Sequence, residues 1–141
     1  GGAPWTIGWG SLNHLDGRPV APGDRINQAQ ADHYLLDRLA RDLDTQRRRI
    51  PTWEQMTPPQ RGALLSFAYN LGPNWYGSPG FETLSDLVRN SRGSEVPAAL
   101  ELYRNPGTNV EAGLRRRRQA EGRVFAHRVS QAGHTAGRQW R

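Results

Sequence analysis

The chain has 141 residues, of which 35% are hydrophobic and 23% charged, with a formal net charge of +6 and no cysteine. That balance suits one globular domain with a modest core and argues against a disordered chain. It excludes a disulfide framework, and no apolar run reaches the roughly 18 residues a membrane span requires.

No secretory signal is visible, and the sequence starts at Gly1 rather than Met. His14, His33, His127 and His134 show no metal-ligand spacing, so neither a metal nor another cofactor is expected. Every basic side chain is an arginine. The positive charge favours encounter with a polyanion: nucleic acid, a membrane surface or an anionic cell wall.

Trp5, Ile7 and Trp9 alternate with Thr6, Gly8 and Gly10, the period-two pattern of a strand. Asp16-Gly17 signals a tight turn, and Arg18 to Val20 suits a returning strand. A helix is predicted from Asn27, where Asn27 and Gln30 have the spacing of a capping box. Ala31, Leu35, Leu36, Leu39 and Leu43 then recur at helical spacing, until the Arg47–Arg49 run and Pro51 end the pattern.

The clearest helix start is Thr57-Pro58-Pro59-Gln60, with a capping threonine, proline at the first helical position and glutamine closing the box. Ala63, Leu64, Leu65, Phe67, Ala68 and Leu71 cover most of this helix's circumference, which predicts a buried central helix. Gly72 supplies the C-terminal cap and Pro73 follows. After a loop over residues 73–80, Phe81 to Asn90 reads as a short helix with Leu84, Leu87 and Val88 inward. Ser94 is expected to cap another helix carrying Val96, Ala99, Leu100 and Tyr103. A last helix is predicted from about Glu111 to Val129, with Leu114, Val124 and Phe125 inward. The polar stretch 130–141 is expected to be a flexible tail. The fold class is therefore α+β and mainly α, with a small N-terminal β hairpin.

Four strings carry a family resemblance. Pro4-Trp5-Thr6-Ile7-Gly8-Trp9-Gly10 resembles the Thr-Ile-Gly-x-Gly strand of phage-type lysozymes, a glycoside hydrolase family. Ala68-Tyr69-Asn70-Leu71-Gly72 is similar to the end of that family's central helix. Gly80-Phe81-Glu82-Thr83-Leu84 resembles the stretch that follows it, and Gly113 to Glu121 resembles the Gly-Leu-x-x-Arg-Arg-x-x-Glu helix. The four stand in family order across residues 4–125.

The resemblance implies a lysozyme-like fold, a catalytic domain over residues 1–129 with a helical lobe around its central helix, and hydrolysis between N-acetylmuramic acid and N-acetylglucosamine. It implies peptidoglycan glycan strands as the partner, no specific nucleic acid, and a monomer. The family places a Glu, an Asp and a Thr around its cleft, and the threonine falls on Thr6. Both acids should stand ahead of Thr6, yet no acidic residue precedes it here and the first Glu is Glu54. The expectation is that the N-terminal helix and both acids lie upstream of Gly1. A second departure is Ser11, where the family often has His.

Thr6 suits the catalytic role on local grounds as well. Its hydroxyl can donate to a carboxylate and accept from water, and Gly8 and Gly10 let a sugar ring approach the strand. β propensity is the plainer reason for a threonine there. The resemblance puts Tyr69 and Asn70 on the cleft wall, although an asparagine also helps to end a helix. Four consecutive arginines, Arg115 to Arg118, point around most of a helix and form no single stripe. Arg117 and Glu121 are i,i+4 neighbours, which suits a helix-surface pair. The family register instead puts Arg117 nearest the expected Glu. Trp75, Tyr76 and Phe81 are either sugar-stacking surfaces or loop anchors. Three competing classes remain: a lytic transglycosylase, a catalytically inactive wall-binding remnant, and a basic nucleic-acid binder without a recognised module.

Overall fold

The computed structural model describes residues 21, 23 and 27–128. The expected β hairpin over residues 4–22 and the tail over 130–141 lie outside the described residues, apart from Ala21. Every regular element among the described residues is helical. The chain divides into two compact units, residues 1–42 and 43–141.

Helix α1 (Gln28–Arg49) starts as its sequence dictates. The Gln30 amide N–H donates to Asn27 Oδ1 at 2.8 Å, and the Asn27 N–H donates to Gln30 Oε1 at 3.0 Å, so each satisfies an otherwise orphaned donor. Its buried residues match the apolar pattern only in part. Leu36 is 65% exposed and Leu43 41%, whereas Ala31, Tyr34 and Asp42 are buried in the first unit and Gln46 in the second. Ala31 is buried where the pattern put it and Leu35 and Leu39 are half-buried, while Leu36 and Leu43 fall on other sides of the helix.

The second unit is built round α2 (Pro58–Leu71), whose capping box closes as predicted: Thr57 Oγ1 accepts from the Gln60 N–H, and Gln60 Oε1 accepts from the Thr57 N–H. Ala63, Leu64, Phe67 and Ala68 are fully buried, while Gly62 and Asn70 face solvent. Gly72 ends the helix at φ 103°, a conformation that favours glycine, and its N–H returns to Ala68 O. Trp75 folds back from the following loop and donates from Nε1 to Gln46 Oε1 at 3.0 Å, fixing the loop to the end of α1.

Helix α3 (Glu82–Arg89) and α5 (Glu111–Phe125) share an unusual start, since neither has a side-chain N-cap. Each instead uses the carboxylate of its first residue to catch the N–H of a positive-φ glycine in the preceding loop. Glu82 accepts from Gly80 and Glu111 from Gly107. Those hydrogen bonds come first among the causes that hold both carboxyls below the usual range. Between them lies α4 (Val96–Leu100), which follows a 3₁₀ turn over Gly93–Glu95. Ser94 falls inside that turn and caps nothing, and Tyr103 lies beyond the helix, packed against the core. Helix α5 stops at Phe125, short of the expected Val129, and Val124 is 47% exposed rather than inward. It packs close against α4 at Gly122, where an added Cβ would lie 3.1 Å from Pro97 Cβ.

Two stability predictions follow. Thr57→Ala should cost about 1 kcal/mol by removing the α2 cap, measured as a lower urea midpoint at unchanged slope. Asp42 is raised above the ordinary carboxylate value of 3.8, first by burial, with Arg38 and Arg41 pulling the other way. The folded carboxyl therefore keeps its proton to higher pH than the unfolded one, and its contribution to stability is lost as pH rises through the folded value. Asp42→Asn should melt higher than the parent at pH 7, with the gain vanishing below pH 3.8.

Candidate active site

The described part of the site is set by the rotation of α5 against α2. Arg118 points inward and is completely buried. Its guanidinium lies over the Phe67 ring, 4.9 Å from the centroid, and its Nη2 donates to Glu121 Oε2 at 3.0 Å. Nε stands 2.7 Å from Glu121 Oε1, an ion-pair contact whose angle misses a hydrogen bond. Phe67 is itself held edge-on by Trp75, Phe81 and Tyr103, with centroids 5.3–6.0 Å away. Burial pulls the Arg118 pKa down from its ordinary value, and Glu121 opposes that shift.

Glu121 is only 4% exposed, so it is no surface partner of the kind an i,i+4 pair suggested. Besides Arg118, its Oε2 accepts from the Ser66 hydroxyl at 2.6 Å and from Arg117 Nε at 3.3 Å. Arg117 is fixed a second time through Nη2, which donates to Ser66 O at 3.0 Å and Ser66 Oγ at 3.3 Å. Its side chain remains 38% exposed. Beside it a cleft of about 170 Å³ is lined by Gly62, Ala63, Ala120 and Val124 together with Ser66, Arg117 and Glu121.

Tyr69 is half-buried and Asn70 exposed in the last turn of α2. Both lie one helical turn beyond Ser66, and hence share its side of the helix. On α2 the cleft beside Arg117 is lined by Gly62, Ala63 and Ser66, and neither Tyr69 nor Asn70 is among its lining residues. Thr6, Gly8 and Gly10 lie outside the described residues. Trp75 is a loop anchor, 2% exposed in the core, with half-buried Tyr76 and Phe81 packed against the same cluster. Sequence reasoning missed Ser66, Arg118 and Glu121. The signal for Arg118 and Glu121 was the spacing Leu114–Arg118–Glu121–Phe125, one helical stripe whose two middle positions are charged; Ser66 had none.

A helical unit closed round one buried helix, with a polar cluster where that helix meets the last one, is consistent with a lysozyme-like fold. A match to the phage lysozyme family runs over residues 1–121, and the chain belongs to that family. It is 32% identical over 136 residues to two proteins named endolysin, from Lactococcus phage c2 and Lactococcus phage phivML3. The matched region is 90% of this chain and 51% of each relative, so the chain spans about half the length of the curated relatives it matches.

Removing Glu121 alone leaves a buried guanidinium without its counter-charge. Glu121→Gln should cost about 3 kcal/mol or more in urea unfolding, while Arg118→Met with Glu121→Leu should cost far less. Equal losses in the two variants would show that the pair's charge is not what the core depends on.

Proposed function

We propose that this chain is part of an endolysin-type muramidase that hydrolyses the β-1,4 bond between N-acetylmuramic acid and N-acetylglucosamine in bacterial peptidoglycan, with lysis of the host cell as its role. The observation that carries this reading is membership of the phage lysozyme family over residues 1–121. The names of the two relatives support it.

Cleaving a glycosidic bond requires a proton for the leaving oxygen and a nucleophile for the oxocarbenium-like centre. Thr6 is proposed to hold the attacking water together with an Asp, so the reaction inverts the anomeric centre. A Glu supplies the proton. Both acids are proposed to come from residues ahead of Gly1, since no acidic side chain precedes Thr6 in this sequence. Tyr69 and Asn70 are proposed to line the cleft, where the Asn70 amide bonds a sugar N-acetyl group. Gly8 and Gly10 let the ring approach the strand. The protein is read as a monomer that needs no cofactor and acts on the wall from the periplasm or from outside. Among the described residues no helix is long and apolar enough to cross a membrane.

The test is clearing of a cell-wall suspension by the protein extended with the residues encoded ahead of Gly1. The extended protein should clear it, Thr6→Ala should slow clearing by about a hundredfold, and residues 1–141 alone should have negligible activity. Product masses separate hydrolysis from transglycosylation by one water. Binding without cleavage by the extended protein would favour the wall-binding remnant instead, as would an upstream segment without an acidic pair.

A further inference from the structure

The charge of the chain is unevenly placed. Residues 27–110 hold nine arginines and nine acids, whereas residues 111–128 hold six arginines and two acids. In the first stretch every arginine except Arg49 is ion-paired with a carboxylate. Arg49 donates instead to Tyr76 O. On α5 the carboxylates run out. Glu111 is engaged by Arg104 and Gly107, and Glu121 by Arg117, Arg118 and Ser66. Arg116, Arg123 and Arg128 are exposed and form no ion pair among the described residues. Arg115, also exposed, comes last among the groups that hold the Glu111 carboxyl down.

The run Arg115 to Arg118 forms no stripe as sequence, but packing makes one. Arg117 and Arg118 are taken up against α2. At about 100° per residue, Arg116 and Arg123 then lie within about 20° of each other, about 150° from Arg118, and about 10 Å apart along the axis. Beside Arg123 the surface is hollowed into a groove of about 480 Å³ between α4 and α5. Small residues make room for it: Pro97 on one helix, Gly122 and Ala126 on the other. Glu101, on the same wall, accepts from Gln119 and leaves Arg123 unpaired.

We propose that the outward face of α5, centred on Arg116 and Arg123 with Arg115 and Arg128 at its margins, docks a flexible phosphodiester polymer of the bacterial wall. Guanidinium groups pair with phosphate through two parallel hydrogen bonds. A thin chain with one negative charge per repeat can reach both arginines and lay its uncharged links in the groove, which a rigid nucleic-acid duplex is too wide to enter. Among the described residues the face carries no large apolar side chain to enter a lipid layer, since Val124 points about 100° away from Arg123. The wall as the source of the polymer rests on the muramidase reading, whereas the face itself does not.

The experiment is titration of the 141-residue chain with poly(glycerol phosphate), followed by backbone NMR and calorimetry. The polymer should shift the Gly122 and Ala126 amides, and raising salt from about 50 to about 200 mM should weaken binding about tenfold or more. Arg116→Gln with Arg123→Gln should weaken it about tenfold and lower the slope of log affinity against log salt by about two. The matched control, Arg47→Gln with Arg48→Gln, removes the same charge from arginines already paired with Asp44 and should cost about twofold at most. Ala126→Phe fills the groove without changing charge and should weaken polymer binding severalfold. All these side chains are exposed, so each variant should keep the parent's urea midpoint. Equal losses in the two double variants would mean that net charge alone is at work, and would overturn the proposal. So would unshifted groove amides, or a DNA duplex or phosphatidylglycerol vesicles that lose as much affinity as the polymer through Ala126→Phe. An extended protein that binds the polymer but cleaves no wall would sink the muramidase reading and leave the docking face standing.

Discussion

The arrangement of the helical unit depends on a guanidinium sealed inside it. Arg118 has no exposure and lies between the face of Phe67 and the carboxylate of Glu121. Phe67 stands in the middle of α2, where three aromatic neighbours meet it edge-on. Placing Arg118 on that ring fixes the rotation of α5. Glu121 and Phe125 follow at three and seven residues and also turn inward, and Arg117, one position before Arg118, is carried to the side where Ser66 waits. A rotation of one residue, about 100°, that sent Arg117 into the aromatic core would turn Arg118 to the place of Gln119, on the side of Glu101.

Such an arrangement is costly compared with an apolar one. Met and Leu of similar volume would fill the space without desolvating charge. They would also hold the two helices together. What they would lack is a carboxylate at the base of the cleft, and it is Glu121 Oε2 that joins Ser66, Arg117 and Arg118 into one network. The core and the site therefore share an atom: the group that neutralises the buried arginine also aims the half-exposed one. Stability and presentation of Arg117 cannot be altered separately through Glu121, though they can through Ser66.

Local signals in the sequence were the most legible part of the fold. Both capping boxes, at Asn27 and Thr57, closed as their spacing implied, because the partners lie three residues apart and need nothing from the rest of the chain. Gly72 was legible for the same reason. The facing of α5 was legible only in part: Phe125 is buried as expected, but the inward stripe carries two charged residues and a hydrophobic pattern elected Val124 in their place. On α1 an excess of leucines blurred the stripe, and buried polar Asp42 and Gln46 were invisible to it. Ser94 had the right residue type for a cap, but the 3₁₀ turn over Gly93–Glu95 already satisfies the local backbone. Of the polar cluster between α2 and α5, Arg117 was singled out through the family register. Its supports were not, since Ser66 is 51 residues away in sequence and no local pattern joins them.

The arginines of α5 also show why net charge and recognition must be kept apart. Arg115, Arg116 and Arg123 are exposed, so they contribute to a long-range attraction that salt screens and that any polyanion satisfies. Arg117 differs in being held at two atoms, by Glu121 and by Ser66 of α2, so its guanidinium has a fixed orientation as well as a charge. Direction is what separates recognition from attraction, because a fixed donor rewards an anion of matching geometry and a mobile one rewards any anion equally. In a run of four identical residues, the two that pack are identified by their neighbours on the facing helix, Ser66 for Arg117 and the Phe67 ring for Arg118.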